Sequence, residues 1–495
     1  MTRDDDAIAL LRRIGDGRVS DSAYDTGWTA RLADTDPALA ASALDWLRAH
    51  QLPDGTWGAK APYHPHDRVL CTLSATIALT LHGSGTDHQL VRRAAPALRK
   101  ALAAVSRTTT TETAGFGLLA ATLLRHAWEL GIVGDEAENI LVLLAAEREQ
   151  HLAAVRPGTV DSRSPLAGYA EFATGINLRL LAPDALVSPD GSVGSSPATT
   201  AFHVEVTGGS EQSLAYLWQM ASQSGGMPAT GPIDAFESAW SLRNFALTRT
   251  GIGRASAQRR RVLTGLEQSW MTGHGLGSGT GSSSVDSATT AAAYTVLSRS
   301  STVVDLATLL AHTGTGHDTS TDVHLLEALR AAGLSRSHPY VGRMVQRLTA
   351  SQHCTGFWRD PRHLSPFPVT AHAVIAGLGL DHHDGCFGRA LRWLLDAQRS
   401  DGAWGFEDPT AEETACCLQA ITLAHRRGES VPEQAVRDGH GWLQRETGRP
   451  HPALWIGKSL YAPGTLIDST VLSALTLAEE DRLTSLDATS ANAGR

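Results

Sequence analysis

Apolar residues recur three and four positions apart through most of the chain. ASALDWLRAH (41–50), VLCTLSATIALTLHG (69–83), HLLEALRAAG (324–333), GRALRWLLDAQ (388–398) and ETACCLQAITLAHRRG (413–428) all follow this spacing. It lays one apolar stripe along a helix. Glycine and proline punctuate at helix-length intervals, and no segment shows sustained polar–apolar alternation. The pattern predicts an all-α chain.

A motif repeats within it. LDWLRAHQLPDGTWG carries Gln51, Gly55 and Trp57; VQRLTASQHCTGFWRD carries Gln352, Gly356 and Trp358; LRWLLDAQRSDGAWGFED carries Gln398, Gly402 and Trp404. A further copy, HGWLQRETGRP, keeps Gln444 and Gly448 but lacks the Trp. Each reads as a helix end. The Gly adopts the left-handed conformation that stops the helix. The Gln amide reaches unpaired backbone groups, and the Trp covers the junction. Repeated units of this kind suit a barrel of helical hairpins.

Composition narrows the function. At 495 residues the chain has room for two or three domains. A net charge of −9 gives no reason to expect nucleic acid as a partner. Its five cysteines have neither metal-ligand nor disulfide-framework spacing, which suits a reducing cytoplasm. The N-terminus is too acidic for a signal peptide, and no run of about 18 apolar residues predicts a membrane span. The tail, residues 481–495, is expected to be flexible. Lysine occurs three times, at Lys60, Lys100 and Lys458, so 42 − 3 = 39 of the basic residues are arginine. A lysine retained against that bias marks a place where a compact ammonium fits.

One stretch, GHGLGSGTGSSSVDSATTAAAYTVL (273–297), runs from a glycine-rich loop into a helix and holds a single carboxylate, Asp286. Asp286 suits a helix N-cap. So do Asp318 in HDTSTDVHLLEAL and the pair Glu412 and Glu413 in PTAEETACCLQ, with Asp322 in the first turn.

The repeated motif resembles the QW motif of terpene cyclases. SAYDTGWTARL (22–32), DGSVGSSPATTAF (190–202), PIDAFESAWSL (232–242), FWRDPRHLSPFPVTAHAV and PALWIGKSLYAP resemble class II terpene cyclase segments, in order, from about residue 20 to 475. The resemblance implies two α/α-barrel domains, with a γ domain (36–245) inserted into a β domain (1–35 plus 246–480) and the cavity between them. It implies chemistry started by protonation, with the diphosphate held and not ionised.

Class II members carry DxDDTA where this chain has DSATTA. Asp286 matches the first Asp, Ala288 the second and Thr289 the third; Thr290 and Ala291 match the closing TA. A DxDTTA variant occurs in drimenyl diphosphate synthases, which cyclise farnesyl diphosphate. This chain fits that variant except at Ala288, the place of the proton donor. The resemblance therefore points to a sesquiterpene cyclase disabled at position 288, altered at one residue. The open alternatives are a cyclase of geranylgeranyl diphosphate and a non-catalytic homologue that binds isoprenoid diphosphates.

An alkene is a very weak base, so its protonation needs an acid held protonated and dry. Aromatic faces stabilise the carbocations that follow; Tyr24, Trp28, Trp358 and Phe367 are the candidates. Lys458, Arg68 and Lys60 are the candidates for the diphosphate. The resemblance further implies Mg²⁺ with the diphosphate, with γ-domain carboxylates such as Glu138 as oxygen donors, and Glu413 beside the cavity.

Overall fold

The computed structural model describes residues 3–105, 111–249, 256–300, 304–314, 316, 318–381 and 384–493. Helix α1 (Arg3–Arg13) and strand β1 (Asp21–Ser22) lead into α2 (Ala23–Thr29), α3 (Pro37–Ala49), α4 (Pro65–His82), α5 (Asp87–Val105), α6 (Phe116–Glu129) and α7 (Glu138–Leu152). A 3₁₀ segment (Ala167–Phe172), α8 (Pro197–Thr207), α9 (Glu211–Met220) and strand β2 (Met227–Pro228) complete the first unit. The second unit holds α10 (Asp234–Ala246), α11 (Ala257–Ser269), α12 (Ser287–Leu297), α13 (Leu306–Ala311), α14 (Thr319–Ala331) and α15 (Pro339–Ser351). It continues with α16 (Phe367–Gly377), α17 (Cys386–Asp396), α18 (Ala411–Arg426), α19 (Glu433–Glu446), the hairpin β3 (Trp455–Ile456) and β4 (Leu460–Tyr461), and α20 (Gly464–Ala493).

Each unit is a ring of inner helices wrapped by outer ones. In the γ domain α2, α4, α6, the 3₁₀ segment and α8 pack in sequence and α8 returns to α2. In the β domain α10, α12, α14, α16, α18 and α20 form the ring, and α20 closes on α10. The sequence explains the two layers. Outer helix α17 buries one stripe, Cys386, Phe387, Ala390, Leu391 and Leu394. Inner helix α4 is buried all round from Pro65 to Leu79, as a helix enclosed on every side must be.

The seams of the insertion differ from those expected. Helix α2 packs in the γ core, α10 packs in the β ring, and α1 returns to lie on α20 and α11. The chain enters and leaves the γ domain side by side through a short antiparallel pairing of β1 with β2, Asp21 opposite Pro228 and Ser22 opposite Met227. The γ domain thus begins near residue 22 rather than 36 and ends near 228 rather than 245. Helix α20 continues to Ala493. No helix among the described residues is long and apolar enough to cross a membrane.

The repeated motif is the ring's fastening. The amides of Gln51, Gln352 and Gln398 donate to the carbonyls of Gly55, Gly356 and Gly402 at 2.9, 2.7 and 2.9 Å. Each amide donates again to the first turn of the next outer helix, at Leu90, Cys386 and Ala435. The indoles of Trp57, Trp358 and Trp404 donate to Leu47, Leu348 and Leu394, carbonyls in the last turn of a helix, at 2.8, 2.8 and 2.7 Å. The three glycines have φ of +90°, +112° and +95°, and a Cβ there would stand 2.5, 2.8 or 2.4 Å from a carbonyl of that same outer helix. Glycine is required twice over.

The degenerate copy tests this reading, because Gln444 is exposed. Gln398→Ala is expected to lower stability by about 1–3 kcal/mol, and Gln444→Ala by no more than about 0.5 kcal/mol. Thermal melts of the two variants measure the contrast; equal losses contradict it.

Candidate active site

Asp286 is the N-cap of α12: its Oδ1 accepts from the Thr289 amide at 2.6 Å and the Thr289 hydroxyl at 2.7 Å. The Thr290 hydroxyl donates to the Asp286 carbonyl at 2.8 Å and accepts from the Leu276 amide at 3.0 Å. Both threonines are buried and turned to the loop. Asp286 Oδ2 lies 3.4 Å from Arg362 Nη1, and Arg362 Nε lies 3.0 Å from Asp318. Asp318 in turn caps α14 through the Thr321 amide at 2.7 Å, and Asp322 pairs with Arg347 at 2.6 Å.

Ala288, the second residue of α12, forms part of the wall of a small cavity of about 60 Å³. The other walls come from the first turns of the remaining inner helices, the loop before α16, and β3. Phe236, Trp240 and Trp455 give it aromatic faces; Phe236 stands edge-on to Trp455 at 5.9 Å. His324 lies edge-on to Trp240 at 4.1 Å and His372 stacks on it at 5.5 Å. Burial pushes both imidazoles well below their ordinary pKa, so they stand neutral. Burial also lowers His363, but Glu412, Glu413 and Asp360 outweigh it and leave its pKa raised.

A second void of about 280 Å³ lies where the two domains meet, lined by residues 162–169 and 188–196 of one and 278–286 and 457–458 of the other. Its surface is rich in hydroxyls, among them Ser164, Ser195, Thr230 and Ser284. Asp286 lies on its wall and Arg362 on the wall of the aromatic cavity, so their ion pair is the partition between the two. The Arg362 side chain is 48% accessible although the strands and loops of both domains surround it.

Lys458, on the turn of the β3–β4 hairpin, borders the hydroxyl-lined void but is already committed. Its ammonium donates to Glu171 at 2.5 Å, Ser196 at 2.7 Å and Thr199 at 2.7 Å, all in the γ domain. Glu171 also accepts from the Tyr24 hydroxyl at 2.9 Å. Beside this cluster Asp25 accepts from the Ala198 amide at 3.0 Å, while its Oδ2 is buried without a partner. Burial raises its pKa from 3.8 to about 7, against the pull of Lys458.

The structure thus brings Asp286, Ala288, Thr289 and Thr290 together and sets Lys458 at the neighbouring void. It does not bring the four expected aromatics to the cavity. Tyr24 is buried against Glu171 in the γ domain, and Trp28 stands edge-on to Phe202 at 5.8 Å. Trp358 is a repeat lid, and Phe367 packs on Trp393 at 4.9 Å. Arg68 holds a repeat turn through Asp54, Thr56 and Ala59. Lys60 is exposed on a separate groove with Asp21 and His451. Glu138 is exposed at the start of α7, and among the described residues no group of three His, Cys, Asp or Glu converges as a metal cage. Glu138, the expected oxygen donor, borders neither void.

Of the two glutamates of α18, Glu413 closes a capping box with Thr410 at 2.7 Å and accepts from the Phe406 amide at 2.8 Å. It is Glu412 that borders the cavity. Trp240, Trp455, Arg362 and Glu412 line this cavity and were not among the residues singled out for it from sequence. Each lies in a segment with a family counterpart, and that was the available signal.

No protein-family model matches the chain. It is 36% identical over 498 residues to the type B diterpene cyclase of Mycobacterium tuberculosis, covering 94% of this chain and 97% of that one. It is 31% identical over 519 residues to an ent-copalyl diphosphate synthase of a Streptomyces species, covering 94% and 93%. The solved ent-copalyl diphosphate synthase from Streptomyces platensis superposes with a TM-score of 0.76 at 26% identity, covering 96% of this chain and 99% of that one.

The buried Asp25 sets a pH dependence. Between its unfolded value of 3.8 and its folded value of about 7 the folded chain binds the extra proton. Stability therefore falls as pH rises across that window and is level above it. Asp25→Asn is expected to remove this slope, so its melting temperature gains on the parent's from pH 5 to pH 8. A difference that stays constant over that range contradicts the assignment.

Proposed function

The chain belongs to the class II terpene cyclases, and from that premise we propose that it is built to enclose geranylgeranyl diphosphate, with a copalyl-type bicyclic diphosphate as the product of an intact site. The relatives support a diterpene substrate over the farnesyl diphosphate first expected: their names are those of diterpene and copalyl diphosphate cyclases.

In this reading the hydroxyl-lined void takes the diphosphate, with Lys458 behind it, and the aromatic cavity takes the terminal alkene beside position 288. A volume of about 60 Å³ holds a few waters, not a prenyl chain. Substrate entry therefore parts Arg362 from Asp286 and merges the two voids. An acid at position 288 would give its proton to the terminal alkene; successive double bonds then close two rings, and loss of a proton ends the sequence with the diphosphate untouched. No step runs through a metal.

The single observation that carries the reading is the methyl of Ala288 on the wall of a cavity faced by Trp240, Phe236 and Trp455. Alanine has no proton to give. Thr289, in the third place of the motif, can hydrogen-bond but holds no charge. The chain as it stands is thus proposed to bind its substrate without turning it over. Farnesyl diphosphate is the second reading, favoured by that same Thr289, which matches the drimenyl variant of the motif.

Ala288→Asp tests this. It is expected to raise cyclisation by at least about 10²-fold, the usual worth of a general acid, with geranylgeranyl diphosphate preferred in competition. Gas chromatography of the dephosphorylated products gives the readout. A farnesyl-derived bicycle as the main product would establish the second reading. Tight prenyl diphosphate binding without any cyclised product from the restored chain would establish a binding homologue instead.

A further inference from the structure

Four buried polar atoms among the residues of the aromatic cavity lack a hydrogen-bond partner: Trp240 Nε1, His324 Nδ1, His363 Nε2 and Glu412 Oε2. A buried unpaired polar atom is costly, and each one in a folded protein calls for a reason. An indole and an imidazole bear this at modest cost. A bare carboxylate oxygen in an aromatic cavity does not, unless something positive visits it.

Glu412 is held for such a visit. Its Oε1 accepts from the Trp455 indole at 2.7 Å and lies 3.5 Å from His363 Nε2. Trp455 is fixed in turn, edge-on to both His363 at 5.7 Å and Phe236 at 5.9 Å. Glu412 stands in the first turn of α18, where a negative side chain is electrostatically favoured. The Trp455 indole holds one oxygen, His363 Nε2 stands near it without bonding it, and the other oxygen is bare. This arrangement suits a proton acceptor. It does not suit a replacement for the acid missing at 288, because donors favour a carboxylate over its protonated form.

We infer that Glu412 is the base that ends the cyclisation, with Trp455 as its positioning residue. The inference rests on the class II reading of the cavity. In the step itself, a C–H bond next to the cationic ring carbon breaks, and its proton goes to Glu412 Oε2. The electron pair of that bond becomes the new C=C and cancels the positive charge. Glu412 is left as the neutral acid and gives its proton to water when the product leaves. No oxidant or reductant is required.

The chain as it exists allows a test without turnover. The probes are geranylgeranyl diphosphate and its analogue with a tertiary ammonium in place of the cationic carbon. Glu412→Gln is expected to weaken the ammonium analogue by about tenfold or more and to leave geranylgeranyl diphosphate, whose prenyl chain is uncharged, within about twofold. Trp455→Phe, which keeps an aromatic face but removes the pyrrole ring with its N–H, is expected to act in the same direction by less. Equal losses for both ligands, or none for the ammonium, overturn the assignment.

A second measurement follows in the Ala288→Asp chain. There Glu412→Gln is expected to shift product from the olefin towards a water-captured alcohol, and Glu412→Asp to restore the olefin; an unchanged product ratio overturns the assignment. If Ala288→Asp yields no product, the functional reading fails on its own, while the ammonium measurement still decides the role of Glu412.

Discussion

One ammonium holds the two domains in register. Lys458 leaves the β domain on the tip of a hairpin and ends inside the γ domain, donating to Glu171, Ser196 and Thr199. Desolvating such a pair offsets most of its attraction, so its value lies in specificity more than in net stability. Three acceptors converging on one point suit an ammonium and not a planar guanidinium. That accounts for a lysine here in a chain whose other cations are almost all arginine. The same hairpin carries Trp455 into the aromatic cavity. A tilt that loosened Lys458 would therefore move Trp455, and with it Glu412. The inter-domain contact and the cavity geometry are one constraint.

The ring of six inner helices adds an electrostatic condition. Their first turns all border the cavity, so the positive ends of their dipoles converge on it. This helps an acid at position 288, whose conjugate base would sit on the second residue of α12. It opposes the carbocation formed next. Carboxylates and aromatic faces restore the balance: Asp360 and Glu412 border the cavity, with Trp240, Phe236 and Trp455 between. An aromatic cavity without those carboxylates would favour the first step and penalise every later one.

The all-helical class, the two barrels and the capped start of α12 were legible from sequence, because each leaves a local signature: a period, a Gln–Gly–Trp spacing, an N-cap. The aromatic lining was not. A Trp that closes a helix end and a Trp that faces a cavity are alike in composition. Trp358 belongs to the first kind and Trp240 to the second only because α10 is an inner helix with its first turns at the cavity, a fact of ring topology. SAYDTGW misled for a related reason. Its residues meet across the γ domain: Tyr24 on Glu171, Asp25 on the Ala198 amide, Thr26 on the Met227 amide, and Gly27 so close that a Cβ would stand 2.4 Å from Ser74. That fixed segment is a structural joint, and it moved the domain seam as well. Lys458 read correctly as a special lysine, but its partner is a carboxylate that sequence distance hides.

The acid loop itself shows why losing the acid need not disturb binding. Every bond that shapes the loop runs through a neighbour of Ala288: Asp286 caps Thr289, Thr290 ties Asp286 to Leu276, and Arg362 steadies Asp286 from across the partition. None requires the side chain at 288, which meets only the cavity. The reactive group is thus supported by a frame that does not depend on it. An aspartate there would need no new backbone geometry, since the frame already presents position 288 to the cavity wall. Alanine at 288 leaves that frame, the aromatic faces and the Arg362 partition in place.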